Sequence, residues 1–110
     1  METKQSIEAM CPECRGPLSD VQNEDLREYS CLVGHKYSPR SVLLAHSQAQ
    51  EQALWAAVVA LEESANLVRL VGPQLPGHVA KRLDAQAAEK HLQAKEIRKV
   101  LERLEPFETD

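Results

Sequence analysis

Three cysteines and one histidine form two short clusters in the N-terminal third of the chain. Cys11 and Cys14 are separated by two residues, Cys31 and His35 by three, and sixteen residues lie between the clusters. Thiolate sulfur and imidazole nitrogen are donors that Zn²⁺ prefers, and structural zinc sites usually combine four of them in a tetrahedron. The spacing therefore predicts one structural Zn²⁺ per chain, bound by Cys11, Cys14, Cys31 and His35.

The residues around the four predicted ligands favour tight turns. Pro12 stiffens the first turn, Gly16 lets the chain reverse after it, and Gly34 brings His35 toward the metal. Backbone N–H groups in such turns also donate to the thiolates. Arg15 stands directly after the second cysteine, where glycine is common in such motifs, so we expect some strain there.

Other chemistries use the same residue types. The Cys-x-x-Cys pair could be a redox dithiol, or the thiols could be unliganded, but redox motifs usually begin a helix in a βαβ unit, and no such unit is evident. Catalytic zinc keeps one position for water, whereas four protein ligands close the coordination sphere. We therefore expect no enzymatic activity. A weaker alternative is a zinc hydrolase in which His35 or one thiolate leaves the metal during turnover.

The segment between the clusters predicts a β-hairpin. PLSDV and LREYSCLV are weak strand candidates on either side of the polar QNED, an arrangement typical of a zinc ribbon with two ligand-bearing knuckles. Large apolar side chains are few before residue 38: Ile7, Leu18, Val21, Leu26, Tyr29, Leu32, Val33 and Tyr37. Structural zinc supplies on the order of 10 kcal/mol of folding free energy to small domains. We therefore expect metal binding to stabilise this segment in place of a large apolar core.

Two long helices are predicted after the ribbon. Ser38 is a favourable N-cap, Pro39 suits the first helical position, and no glycine or proline follows until Gly72. The segment GPQLPG interrupts the pattern, and a second helix follows from about residue 78 to 104. The predicted fold is mainly α: a zinc ribbon over 1–37, an antiparallel helical hairpin over 38–105, and a tail over 106–110.

Apolar residues on the helices extend beyond a single seam. The first helix carries a stripe at three- and four-residue steps, but Trp55, Ala56, Val59 and Ala60 lie partly outside it. A lone hairpin would leave these side chains in water. We predict a homodimer in which two hairpins form a four-helix bundle. The alternative is a monomer in which the ribbon folds back over Trp55.

Net charge limits the classes of partner. The formal charge of -4 and the pI of about 5.6 give no general attraction to nucleic acid or to anionic lipid. The N-terminus lacks the apolar segment of a signal peptide, and no run suits a membrane span, so we expect a cytoplasmic protein. A nucleic-acid-binding or transcription-associated ribbon is the alternative function. Its sparse basic and aromatic residues, Arg27, Lys36, Tyr37 and Arg40, are opposed by Glu13, Glu24, Asp25 and Glu28.

The stretches CPECRGPL, YSCLVGHKYSPRSVLLA and EQALWAAVVALEESANLVRL together resemble a known region. It is the zinc-ribbon and helical region that follows the catalytic domain in some bacterial chemotaxis-type protein-glutamate methylesterases, and that occurs in small stand-alone relatives. Only ten residues precede Cys11, so we expect no receiver or methylesterase domain and do not carry the activity over. The resemblance implies an accessory module in bacterial signalling, which would act on an unidentified protein partner.

Overall fold

A computed structural model describes residues 2–110. Four strands come first along the chain: β1 (Glu2–Met10), β2 (Pro17–Asn23), β3 (Leu26–Cys31) and β4 (Lys36–Tyr37). Two helices follow, α1 (Pro39–Val71) and α2 (Gly77–Arg103), separated by a 3₁₀ turn over Gly72–Gln74. The helices contain 33 and 27 residues. The prediction of a mainly α chain with a β-hairpin before two long helices is therefore confirmed.

The strands form one antiparallel sheet in the order β1-β2-β3-β4. Asn23 pairs with Leu26, so the two residues Glu24 and Asp25 form the β2–β3 turn within the predicted QNED segment. The sequence pattern did not indicate β1 or β4. Only Ile7 and Ala9 of β1 are half-buried, and β4 contains just two residues, so neither strand has the apolar alternation that identifies a strand.

A small buried cluster holds the sheet to the start of α1. Its buried members are Cys11, Leu18, Cys31 and Tyr37. Half of this core is cysteine, and Val42 and Ala45 from the first turns of α1 pack against it. The core is therefore too small to stabilise the sheet by apolar burial alone.

Helix α1 begins and ends where the sequence predicts. The backbone N–H of Ser41 donates to Ser38 Oγ at 3.1 Å, and the backbone N–H of Ser38 donates to Ser41 Oγ at 2.8 Å. This reciprocal pair satisfies two free donors at the helix start, as a capping box does. The helix ends at Val71, because Gly72 and Pro73 form the 3₁₀ turn that follows.

The chain divides into two compact units. One contains the described residues up to Gln50 together with Glu105–Asp110, and the other contains Glu51–Leu104. In the first, the backbone N–H of Phe107 donates to Ser47 Oγ at 3.1 Å, which holds the C-terminal segment against α1. In the second, the residues buried between α1 and α2 are Val58, Ala65 and Ala94.

Within residues 2–110, two non-glycine residues have left-handed backbone conformations, Arg15 with a φ of 66° and Glu24 with a φ of 58°. This conformation costs free energy in residues that have a Cβ, because the Cβ comes close to the following carbonyl oxygen, whereas glycine adopts it freely. Gly34 has a φ of 109° and shows the residue type that such a turn favours. The expected strain at Arg15 is therefore present in the backbone.

We expect the Arg15→Gly substitution to increase the free energy of unfolding of the metal-loaded protein by about 0.5–1 kcal/mol, because it removes the Cβ from a left-handed residue. Denaturant unfolding measures this change. Arg15→Ala is the matched control, since it removes the same guanidinium but keeps the Cβ, and it should give no gain. Equal stability of the two variants would show that the backbone conformation carries no cost.

Candidate metal centre

Two turns at one end of the sheet carry the four predicted ligands. The β1–β2 turn contains Cys11 and Cys14, Cys31 is the last residue of β3, and His35 lies in the β3–β4 turn that follows it. In an antiparallel sheet whose strands are neighbours in chain order, successive turns alternate between the two ends. The first and third turns therefore meet at the same end, which brings the two sequence clusters together.

The ligand atoms of the four side chains all lie within 4.8 Å of one another. We call this group, Cys11, Cys14, Cys31 and His35, the four-ligand cluster. The Sγ atoms of Cys14 and Cys31 are 3.7 Å apart, and His35 Nδ1 lies 3.6 Å from Cys11 Sγ and 3.3 Å from Cys31 Sγ. The predicted residues are therefore close enough to bind a metal ion together.

Three of the six separations lie close to the edges of a zinc tetrahedron, and all six are within 4.8 Å. With Zn–S bonds of about 2.3 Å and a Zn–N bond of about 2.0–2.1 Å, a regular tetrahedron has S···S edges of about 3.8 Å and S···N edges of about 3.6 Å. A disulfide would require about 2.05 Å between sulfurs, and all three cysteines are free thiols. The spacing is compatible with one bound metal such as zinc and not with a disulfide.

Glu13 orients the histidine of the cluster. Its Oε2 lies 3.0 Å from His35 Nε2, on the side of the imidazole ring opposite Nδ1. A hydrogen on Nε2 donates to this carboxylate and leaves the Nδ1 lone pair free for a metal. The carboxylate–histidine arrangement is the usual outer support of a metal-bound imidazole.

Backbone donors favour the thiolate form of Cys31. The backbone N–H of His35 donates to Cys31 Sγ at 3.4 Å, and the N–H of Gly34 donates to the Cys31 carbonyl oxygen at 3.2 Å. Burial raises the pKa of the Cys31 thiol, but hydrogen bonds from the backbone of His35 and then from Cys14 outweigh it and lower the pKa to about 6. Cys31 is therefore set up as a thiolate ligand near neutral pH.

Tyr37 supports the first cysteine. Its hydroxyl oxygen lies 3.5 Å from Cys11 Sγ, and both side chains are buried. Burial and the neighbouring Cys11 sulfur raise the pKa of Tyr37, so its hydroxyl stays protonated and donates to the sulfur. For Cys11, burial raises the pKa, but the hydrogen bond from Tyr37 and those from the turn backbone lower it overall.

Burial differs among the ligands. Cys11 and Cys31 are buried, His35 is half-buried, and Cys14 is exposed. Gly16 follows closely behind Cys14, and a Cβ at that position would lie 3.4 Å from the Cys14 sulfur. This distance is at the edge of ordinary van der Waals contact, so Gly16 lets the backbone pass close to the ligand without crowding it. The backbone N–H of Cys11 donates to the Gly16 carbonyl oxygen at 2.7 Å, which closes the turn around the first two cysteines.

Two supporting residues were not predicted as parts of the site. Glu13 was identified only as an acidic residue opposing nucleic acid. Tyr37 was identified as one of the few apolar residues and as an aromatic residue of the nucleic-acid alternative. A carboxylate between the first two cysteines is a weak signal, because its pairing with His35 depends on the strand order. The remaining histidines stay outside the cluster, and His46 Nε2 lies 2.9 Å from the backbone oxygen of Met10.

Comparisons of the chain with protein-family models, with curated proteins and with solved structures give no match. Between residues 2 and 110, neither helix has an apolar stretch long enough to cross a lipid bilayer. The chemistry of this end of the sheet therefore rests on the geometry of the four-ligand cluster and its supports.

We expect Glu13→Gln to weaken zinc binding by about 10- to 100-fold, because the amide no longer holds the imidazole as a charged carboxylate does. Competition with a chromophoric chelator at neutral pH measures the affinity. Glu8→Gln, which makes the same change on exposed β1, should leave the affinity unchanged. Equal weakening in both variants would attribute the effect to net charge instead of to the Glu13–His35 contact.

Proposed function

We propose that the chain is a non-enzymatic zinc-binding module in which one Zn²⁺, held by the four-ligand cluster, fastens a zinc ribbon together. The observation that carries this proposal is the agreement of three ligand separations, 3.7, 3.6 and 3.3 Å, with the edges of a zinc tetrahedron. Three sulfurs and one nitrogen also suit zinc better than magnesium or calcium, which prefer oxygen.

The metal acts as a structural fastener in this proposal. It joins the β1–β2 turn to the β3–β4 turn, and two of its ligands, Cys11 and Cys31, are also core residues of the sheet. Structural zinc contributes apparent free energies of about 10–16 kcal/mol in small domains, and where the folded site forms only with the metal, this becomes folding energy. Zinc binding would thus supply what the small core cannot.

Four protein donors argue for a structural ion and against a catalytic one. Catalytic zinc holds three protein ligands and keeps a position for water or substrate. Here the fourth donor is the Nδ1 atom of His35, and Glu13 holds the ring in place from its other side. A hydrolase mechanism would have to break this supported contact in each turnover.

Protein contact is the proposed role of the ribbon, and its β3–β4 turn presents the surface best suited to it. Leu32 and Val33 follow Cys31 directly and are 82% and 77% exposed. Two adjacent apolar side chains on a metal-fixed turn lose little conformational freedom on binding, which favours a protein partner. The resemblance of the sequence to methylesterase-associated regions suggests that this partner belongs to bacterial signalling.

Charge on the sheet favours a protein partner over nucleic acid. At the end away from the cluster, beside the β2–β3 turn, Arg27 Nε lies 3.4 Å from Asp20 Oδ1, so a carboxylate offsets this basic group. Glu13 adds a carboxylate beside the metal ligands, with its side chain 59% exposed. Phosphate binding requires several basic groups on one surface, and the basic residues next to the ligands in the chain are two, Arg15 and Lys36.

We expect native mass spectrometry of the purified chain to show one zinc ion per chain, and His35→Ala to lower the zinc affinity by about 100-fold or more, because it removes a direct ligand. His46→Ala is the matched control, since it removes a histidine outside the cluster. Unchanged zinc content and affinity in His35→Ala would contradict the proposed ligand set. A folded wild-type chain that binds no zinc would contradict the proposed function.

We expect X-ray absorption at the zinc edge to show three sulfur ligands and one nitrogen ligand. A structural ion with a closed coordination sphere gives no water oxygen in the first shell. Cys14→Ser is the informative variant, because Cys14 is the exposed ligand and its hydroxyl replacement would leave two sulfurs. An oxygen ligand in the wild-type spectrum would favour the hydrolase alternative.

A further inference from the structure

The second half of α1 has a long exposed face with a regular repeat. Six residues follow one another at alternating steps of three and four, and all six are exposed: Ala53, Ala56, Ala60, Glu63, Leu67 and Leu70. We call this row the outer seam. The side of α1 that α2 covers is a different one, marked by buried Val58 and Ala65. Alternating steps of this kind are typical of helices that pack along their length against another helix.

The outer seam carries a single charge. Glu63 is its only ionised residue, and α1 as a whole has five charged residues among 33. Helix α2 has eleven among 27, which is the composition of a helix whose outer face remains in water. The contrast identifies α1, and not α2, as the helix with an unpartnered apolar face.

Side-chain size divides the outer seam into two halves. The N-terminal half contains only alanines, and the C-terminal half contains Leu67 and Leu70, which are 60% and 67% exposed. Val59, beside the middle of the seam, is 49% exposed. A surface with a narrow half and a bulky half is complementary to its own copy when the second copy runs in the opposite direction.

We propose that the outer seam binds the outer seam of a second copy of this chain, with the two α1 helices antiparallel about a twofold axis at Ala60. In this arrangement residues whose numbers sum to about 120 face each other. Leu67 of each copy then lies opposite Ala53 of the other, and Ala60 lies opposite itself. This α1–α1 contact does not involve the zinc ligands.

The size pattern favours the antiparallel direction. Parallel helices would place alanine against alanine at one end and leucine against leucine at the other, so that the helix axes could not remain at one distance. Antiparallel helices place a large residue against a small one at each end. Only this direction fills the space evenly along the seam.

The length of the face suits a weak, reversible dimer. The seam spans 18 residues, Ala53–Leu70, about 27 Å at 1.5 Å per residue, on a helix about 10–12 Å wide. Nearly half of the curved side of such a cylinder is on the order of 400–500 Å². Two copies would together bury roughly 800–1,000 Å², which is less than the ~1,200 Å² at which stable interfaces begin and is typical of transient contacts.

Glu63 limits the strength of the proposed dimer. Its position faces Ala56 of the other copy, so each chain brings one carboxylate to the rim of an otherwise apolar contact. Desolvating a charge without a partner opposes association. Removal of this charge should therefore tighten the dimer, an effect that loss of folding cannot imitate.

The experiment is sedimentation equilibrium of the full, zinc-loaded chain over the micromolar range. We expect a reversible dimer, and Ala60→Glu should raise its dissociation constant by at least about 100-fold, because two carboxylates would meet at the twofold axis. Ala85→Glu, the same change at an exposed position of α2, should leave the dimer unchanged. Circular dichroism establishes that both variants keep their helices.

Four further variants keep the test decisive if Ala60→Glu fails to fold. Glu63→Ala should lower the dissociation constant by about tenfold. Ala53→Leu and Leu67→Ala should each weaken the dimer, while the double variant restores it, because the large and small residues then exchange places across the interface. A chain that stays monomeric throughout, a dimer insensitive to Ala60→Glu and Glu63→Ala, or a double variant without restoration would overturn the proposal.

Discussion

The meeting of the four-ligand cluster at one end of the sheet is the constraint on which the N-terminal unit depends. Among the described residues, the core of the sheet contains four buried side chains, and Cys11 and Cys31 are two of them. The same side chains thus belong both to the apolar core and to the candidate metal centre. A change at either cysteine would remove core packing and a ligand together, so stability and metal binding in this unit are coupled.

The residue types in the ligand-bearing turns reflect the close approach of the sulfur atoms to the backbone. Gly34 supplies a left-handed residue before His35, and Gly16 leaves room beside the Cys14 sulfur. Arg15 adopts the left-handed conformation without being glycine. A site that retains such a residue tolerates local strain in one turn because the other contacts hold the turn in place.

Sequence alone was sufficient for features set by local chemistry. The ligand spacing identified the residues that come together, the Ser38 cap and the Gly72–Pro73 break fixed both ends of α1, and the QNED segment contained the hairpin turn. Features that depend on strand order were not accessible. The role of β1 and the contact of Glu13 with His35 both require the sheet to be assembled first, and β1 offers no apolar alternation to indicate it.

The two units differ in what can stabilise them beyond their small cores. The sheet has few apolar residues and gathers metal ligands, whereas the helices have many apolar residues and few charges on α1. The four-ligand cluster can bind only one ion. An apolar helix face, by contrast, can pack against another helix along its whole length. Self-association is therefore a property expected of the α1 face and not of the sheet. In the proposed zinc-loaded dimer, removal of the metal and dilution of the protein would accordingly act on separate parts of the molecule.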